Sequence, residues 1–239
     1  MDLLEKYKNL LEKAISYYYS DEEILKYFKT IPLTRYHTFK YCLDYLINLE
    51  KIDIVELGTS RSFVDGRFEG CNSNDSKYWE PNNPEKWDWS AGHFTRVFSE
   101  ILYDKNLHLQ TVDLMKNHIN RCKIMTNDYK QKITYHVSDS VKFLNNQKEN
   151  AFDLIYMDTG DMTPIEPSAQ LHLREAKIIV SKNLLKKGGL ILIDDVRNIL
   201  PKKFGETSDY GKAKYSIQYF IENGFEIVQD HYQVVMRRK

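Results

Sequence analysis

From residue 52 onward the chain alternates short apolar runs with stretches of helical spacing, and this alternation constrains the fold more than any other feature. The runs are IDIVEL, LHLQTVDL, KITYHV, FDLIYMD and GGLILIDD, with helices expected near 91–103, 117–128, 139–146 and 166–185. FDLIYM and GGLILI are apolar at nearly every position instead of every second one, so both faces of those strands must be covered. Five such units predict an α/β fold, a doubly wound, mostly parallel sheet with right-handed crossovers. A helix near 209–222, then FEIVQD and YQVVMRR with only a tight turn at Asp230 and His231 between them, predicts an antiparallel hairpin on the sheet's edge.

Residues 1–50 read as a helical segment ahead of a domain spanning 51–239. Leu3, Leu4, Tyr7, Leu10, Leu11 and Ala14 recur at helical spacing, and Ile24, Leu25, Tyr27 and Phe28 do so again after a cap at Ser20 or Asp21. Tyr17, Tyr18 and Tyr19 offer either a partner surface suited to a homodimer or a face that packs on the main domain. Residues 61–90 break the rhythm: they are rich in Gly, Asn, Asp and Pro yet carry Trp79, Trp87 and Trp89, which predicts a structured lid-like insertion.

The 34 basic and 34 acidic side chains cancel, so no overall field draws the chain to nucleic acid or to an anionic membrane. The expected substrate is therefore a small molecule. Cys42, Cys71 and Cys122 form no CxxC pair, which argues against a disulfide framework or a zinc site and fits a reduced, cytoplasmic setting. The N-terminus has early acids and no uninterrupted apolar core, and no stretch approaches the length of a membrane span.

Acids gather where two of the buried strands end: Asp158 and Asp161 in YMDTGDM, Asp194 and Asp195 in LILIDDV. Like charges about 4 Å apart repel by roughly 4 kcal/mol at the effective dielectric of a partly buried site, so a divalent cation is the simplest reason for them. The alternative is helix capping. In sheets of this kind the carboxyl ends of the strands line the ligand crevice, which favours a site.

The order of motifs over residues 52–239 resembles the class I S-adenosylmethionine-dependent methyltransferases, whose fold is Rossmann-like. IVELGTS resembles that family's first motif, and the resemblance implies cofactor contacts from Glu56, Gly58, Thr59 and Ser60. Asp113, ending TVDL, stands where such enzymes hold the ribose hydroxyls, and Ser138, Asp139 and Ser140 of VSDS where they contact adenine. Asp139 can equally be a helix N-cap. Within the superfamily the pattern is most similar to the macrocin O-methyltransferase-like, metal-dependent sugar O-methyltransferases. Asp158-Thr159-Gly160-Asp161 and Asp194-Asp195 stand for their acidic motifs, with one extra residue at Thr159.

That resemblance implies methyl transfer to a sugar hydroxyl, with Asp158, Asp194 and Asp195 holding Mg²⁺, Mn²⁺ or Fe²⁺. A nucleotide-activated sugar of bacterial surface polysaccharide or natural-product biosynthesis is the expected substrate, its diphosphate met by Arg61, Arg67 or Arg197. An alcohol needs help to ionise, so Asp161 or a histidine is the expected base. His93, opening the helix after the first strand, is the better candidate, ahead of His172. The alternatives are a catechol-type O-methyltransferase, a nicotinamide-dependent oxidoreductase, disfavoured by the missing G-x-G-x-x-G, and a non-catalytic binding protein.

Overall fold

The computed structural model describes residues 3–16, 34–59, 75–91, 93–161, 164–196 and 210–239. The predicted helix around Ile24–Phe28, Tyr17–Tyr19, Ser60, Arg61, Arg67, Cys71 and Arg197 lie outside them.

Helices α1 (Glu5–Ser16) and α2 (Tyr36–Leu46) precede strand β1 (Ile52–Leu57), and three 3₁₀ turns within 76–91 lead to α3 (Phe94–Ile101). Then follow β2 (Leu107–Asp113), α4 (Lys116–Met125), β3 (Ile133–Val137), α5 (Ser140–Asn145), β4 (Phe152–Met157), α6 (Ile165–Ser181) and β5 (Leu185–Ile193). Helix α7 (Ser216–Glu222) and strands β6 (Phe225–Asp230) and β7 (Val234–Arg238) close the described chain. The sheet runs β3-β2-β1-β4-β5-β7-β6, parallel except that β7 pairs antiparallel with both β5 and β6. This is the doubly wound sheet with an antiparallel hairpin that the apolar runs predict.

All six residues of β1 and all six of β4 are buried, because helices cover the sheet on both sides. On one side Ile54, Leu154, Tyr156, Leu190 and Leu192 pack with Leu4, Tyr7 and Leu11 of the α1 region, with Phe39 of α2 and with Phe94 and Phe98 of α3. On the other side Val55, Leu57, Ile155, Met157, Ile191 and Ile193 meet Phe143, Ala176, Ile179 and Phe220. Phe94 stacks on both Phe98 (4.0 Å) and Tyr156 (4.4 Å), so the first helical layer is keyed to β4 by rings.

The tryptophans of the insertion belong to this core. Trp87 and Trp89 are buried and stack on each other at 5.9 Å, and Trp89 also packs against Tyr7. Their indole N–H groups donate to the carbonyls of Glu80 (2.9 Å) and Pro84 (2.6 Å), so residues 80–89 are tied to themselves as well as to the core.

Candidate active site

The strands end level. Register pairs Leu57 with Met157, Met157 with Ile193, and Asp113 with Val137, and the ladder runs one residue further: Asp158 N–H donates to Leu57 (2.8 Å), Asp194 to Met157 (3.0 Å), Ser138 to Asp113 (2.9 Å). Gly58, Asp113, Ser138, Asp158 and Asp194 are thereby delivered to the same edge.

Gly58 makes a close approach there. Its φ is +87°, and a Cβ on it would stand 2.3 Å from the Asp158 carbonyl oxygen. Gly58→Ala is expected to destabilise the protein by about 2–3 kcal/mol through overpacking and a disfavoured φ, which chemical denaturation would register.

On the β1–β2 side the residues form a connected group. Glu56 is buried and accepts hydrogen bonds from the hydroxyls of Thr95 and Thr111, while the Thr111 and Thr59 hydroxyls bond each other. Glu56 therefore supports the turn from beneath instead of facing the crevice. The Asp113 carboxylate accepts from Thr59 N–H (3.2 Å) through Oδ2, and from Met115 N–H (2.7 Å) through Oδ1, which also lies 3.1 Å from His118 Nδ1. Oδ2 keeps a lone pair for another donor. Around it Leu114, Met115 and Val137 are 67%, 49% and 54% exposed, an unusual run of bare apolar side chains at one strand edge.

Ser138 lies beside this group, its hydroxyl donating to the Asp139 carbonyl (3.1 Å). Asp139 caps α5, accepting from Lys142 N–H (2.8 Å). Ser140 turns inward to Glu175, donating at 2.5 Å, and Thr159 donates to the same carboxylate at 2.9 and 3.0 Å. Burial pushes Glu175 up to about 7 against those hydrogen bonds. Sequence reasoning missed Glu175, although its position in the buried stripe Ala169, His172, Glu175, Ala176 and Ile179 of α6 marks it as an acid inside the protein.

On the β4–β5 side the carboxylates of Asp158, Asp194 and Asp195 converge, with oxygens all within 4.8 Å of one another. Two buried cations meet them. Arg35, at the start of α2, reaches Asp194 through Nε (3.1 Å to both oxygens) and NH2 (2.8 Å); Tyr156 and Gln233 donate to the same carboxylate at 2.8 and 3.0 Å. Lys212 Nζ lies 2.7 Å from Asp158 and 3.0 Å from Asp195. Tyr232 donates to Asp195 at 2.5 Å.

The electrostatics follow. Burial acts to raise Asp195, but Lys212 and Arg35 outweigh it and hold this acid down, to about 2. Burial likewise acts to lower Lys212, yet Asp158, Asp195 and Asp194 keep it well above the ordinary lysine value. Burial, reinforced by Asp194 and Asp195 and opposed by Lys212, raises Asp158.

These residues do not fit a divalent metal as they stand. Asp194 has spent both oxygens on protein donors. An ion seated between Asp158 and Asp195 would face the Lys212 ammonium, and a divalent and a monovalent cation about 4 Å apart repel by roughly 8 kcal/mol at an effective dielectric near 20. Neither Arg35 nor Lys212 carries a periodic or motif signal; the fold alone brings them in.

Asp161 stands apart: its side chain is exposed and outside the acid group, and among the described residues its carbonyl is engaged by Ser168 (2.6 Å). His93 does not open onto the crevice, as its place at the helix start suggests; it is buried against Trp87 (5.2 Å) and Trp89 (4.8 Å), and among the described residues neither ring nitrogen has a hydrogen-bond partner. Burial pushes it down to about 3. His172, also buried, donates from Nε2 to the Thr159 carbonyl (2.9 Å), which leaves Nδ1 bare. Burial, with the Lys212 charge adding to it, lowers this ring to about 3 as well.

An open cavity of about 440 Å³ at the opposite, amino end of the strands is lined by Lys51, Asp53, Asn146 and Lys186 among others. Of its acids, Asp53 is paired with Lys186 at 2.9 Å, and none of the strand-end residues lines it. No helix among the described residues is long and apolar enough to cross a membrane.

The chain matches no protein-family model and no curated protein. Among solved structures it is similar to a Staphylococcus aureus protein described as a candidate caffeoyl-CoA O-methyltransferase, with a TM-score of 0.54 and 16% identity over 100% of both chains. It is also similar to a cofactor-bound protein from MTB, with a TM-score of 0.55 and 12% identity over 84% of this chain and 79% of the other. It spans 58% of the [4+2]-cyclase SpnF, matched over 81% of its own residues at 11% identity and a TM-score of 0.48. The chain thus has the Rossmann-like fold found in methyltransferases, and at these identities the likeness is one of fold.

Proposed function

We propose that the protein is an S-adenosylmethionine-dependent methyltransferase acting on a hydroxyl of a small molecule, a sugar or nucleotide-sugar by preference. The observation that carries this reading is the group at the ends of β2 and β3: a carboxylate with a lone pair to spare, Asp113, ringed by the exposed Leu114, Met115 and Val137. A nucleoside presents that combination in reverse, two ribose hydroxyls and a flat apolar base. Bound there, the cofactor supplies a methyl group on a positively charged sulfur.

The chain's own residues do the rest by position. Asp113 accepts the ribose hydroxyls, and Glu56, through Thr111, holds Thr59 and the turn after β1 in place. Across the edge, the side chains of Asp158 and Asp195 stay 20% and 14% exposed, so each presents a carboxylate edge to an acceptor hydroxyl. Asp158, the more open of the two, takes the proton as the hydroxyl attacks. Holding the two reactants in line is the larger part of such a reaction.

The convergence of three carboxylates supports metal assistance, whereas their saturation by Arg35 and Lys212 supports a reaction without it; we favour the latter. A catechol-type phenol remains the competing acceptor, since it ionises more readily and the same edge would receive it.

Calorimetric titration with S-adenosylhomocysteine and with NAD tests the reading. S-adenosylhomocysteine should bind and NAD should not. Asp113→Ala should weaken S-adenosylhomocysteine by about 10- to 100-fold, the cost of hydrogen bonds to a charged group. Binding of NAD alone would replace methyl transfer with hydride transfer.

A further inference from the structure

We infer that Lys212 is the resident cation of the strand-end acids: its ammonium fills the place a divalent ion would take between Asp158 and Asp195, and this chain organises that edge without a metal. The inference concerns what occupies the acids and stands whether or not the chain transfers a methyl group.

The ammonium is well engaged: it donates to Asp158 Oδ1 at 2.7 Å and to the Gly160 carbonyl at 3.4 Å, and it forms an ion pair with Asp195 Oδ2 at 3.0 Å. Its side chain is only 1% exposed, unlike a surface lysine that swings into a crevice in passing. The backbone is built for the approach. Gly211 has a φ of +49°, and a Cβ on it would stand 2.1 Å from the Asp195 carbonyl oxygen, so the turn Gly211–Ala213 presses directly on the residue that Lys212 pairs. Asp195 itself adopts a φ of +56°, and its carboxylate meets Lys212 and Tyr232.

Arg35 completes the arrangement from the other side. It takes Asp194 out of play for an ion and lies 3.7 Å from Asp195, so a metal entering here would meet two fixed positive charges. Hard divalent ions need several oxygen ligands free of other cations. Among the described residues these acids offer one such oxygen, Asp158 Oδ2, the others being engaged by Arg35 or Lys212.

Titrating the protein with Mn²⁺ and following the free-ion electron paramagnetic resonance signal tests this. The wild type should leave the signal undiminished at millimolar ion, whereas Lys212→Ala should take up one ion at least about tenfold more tightly, an uptake lost again in Lys212→Ala/Asp195→Asn. Either of two results would overturn the inference: wild-type uptake of one equivalent that Asp195→Asn abolishes, or a folded Lys212→Ala protein that binds no ion. Should Lys212→Ala not fold, acetylation footprinting of the wild type decides. Lys212 protected equally with and without Mn²⁺ supports the ammonium as occupant, and a lysine made reactive by Mn²⁺ shows that the ion displaces it.

Discussion

Arg35→Met should destabilise the protein by about 3–5 kcal/mol, the cost of leaving a buried charge without its partner. Asp194 has no exposed surface, and Arg35 supplies the only full positive charge in contact with it among the described residues. Tyr156 and Gln233 would remain as donors, but neither neutralises a carboxylate. Adding Asp194→Asn should recover about 2 kcal/mol or more, because the orphaned charge is then gone. Urea unfolding of the wild type, the two single variants and the double variant would measure that coupling. Single and double variants of equal stability would mean that the pair contributes nothing and that the loss arises from packing around Tyr232, whose ring lies 4.9 Å from the guanidinium.

Acid should be the second large lever. His93 and His172 are both neutral and buried, each with its pKa lowered to about 3 from an ordinary 6.5. Below 6.5 the unfolded chain takes up protons that the folded one refuses, so stability is whole above that point and is lost progressively towards pH 3. Two such groups give a slope approaching about 2.7 kcal/mol per pH unit. Glu175 acts in the opposite sense: with its folded value raised to about 7, it withdraws stability as pH rises from 4.5 towards 7. Between 4.5 and 6.5 Glu175, joined by the likewise raised Asp158, cuts the histidine slope back, and the slope steepens below 4.5. Unfolding free energies measured across that range would show the break. His93→Phe should remove about one proton from the acid slope; an unchanged slope would mean that this ring titrates in the folded protein.

Much of this architecture could be read along the chain because it rests on periodicity. Apolar runs at every position gave the doubly wound sheet and its crossovers, and the short interval around Asp230 gave the hairpin; both depend on local rules. The strand-end acids were legible for the same reason, since the residue after a strand always reaches the crevice edge. What answers those acids was not. Arg35 and Lys212 are single cations in unremarkable surroundings, placed by the docking of α2 and of the turn before α7, which no local pattern records. Asp161 shows the converse: it shares a motif with Asp158, yet the turn at Gly160, with a φ of +75°, carries it away from the group. Trp87 and Trp89 looked like lid residues by composition, and both are buried, Trp89 against Tyr7 and Trp87 against His93.

The contact between Arg35 and Asp194 spans 159 positions of the chain, while that between Lys212 and Asp158 spans 54. Loops of that size close late, since their ordering entropy must be met before the contact returns anything. During synthesis the acids therefore emerge with one counter-charge already made and the other still in the ribosome. The crevice acquires its second counter-charge only once the turn carrying Lys212 has docked, so its electrostatic assembly lags that of the strands that bring the acids together.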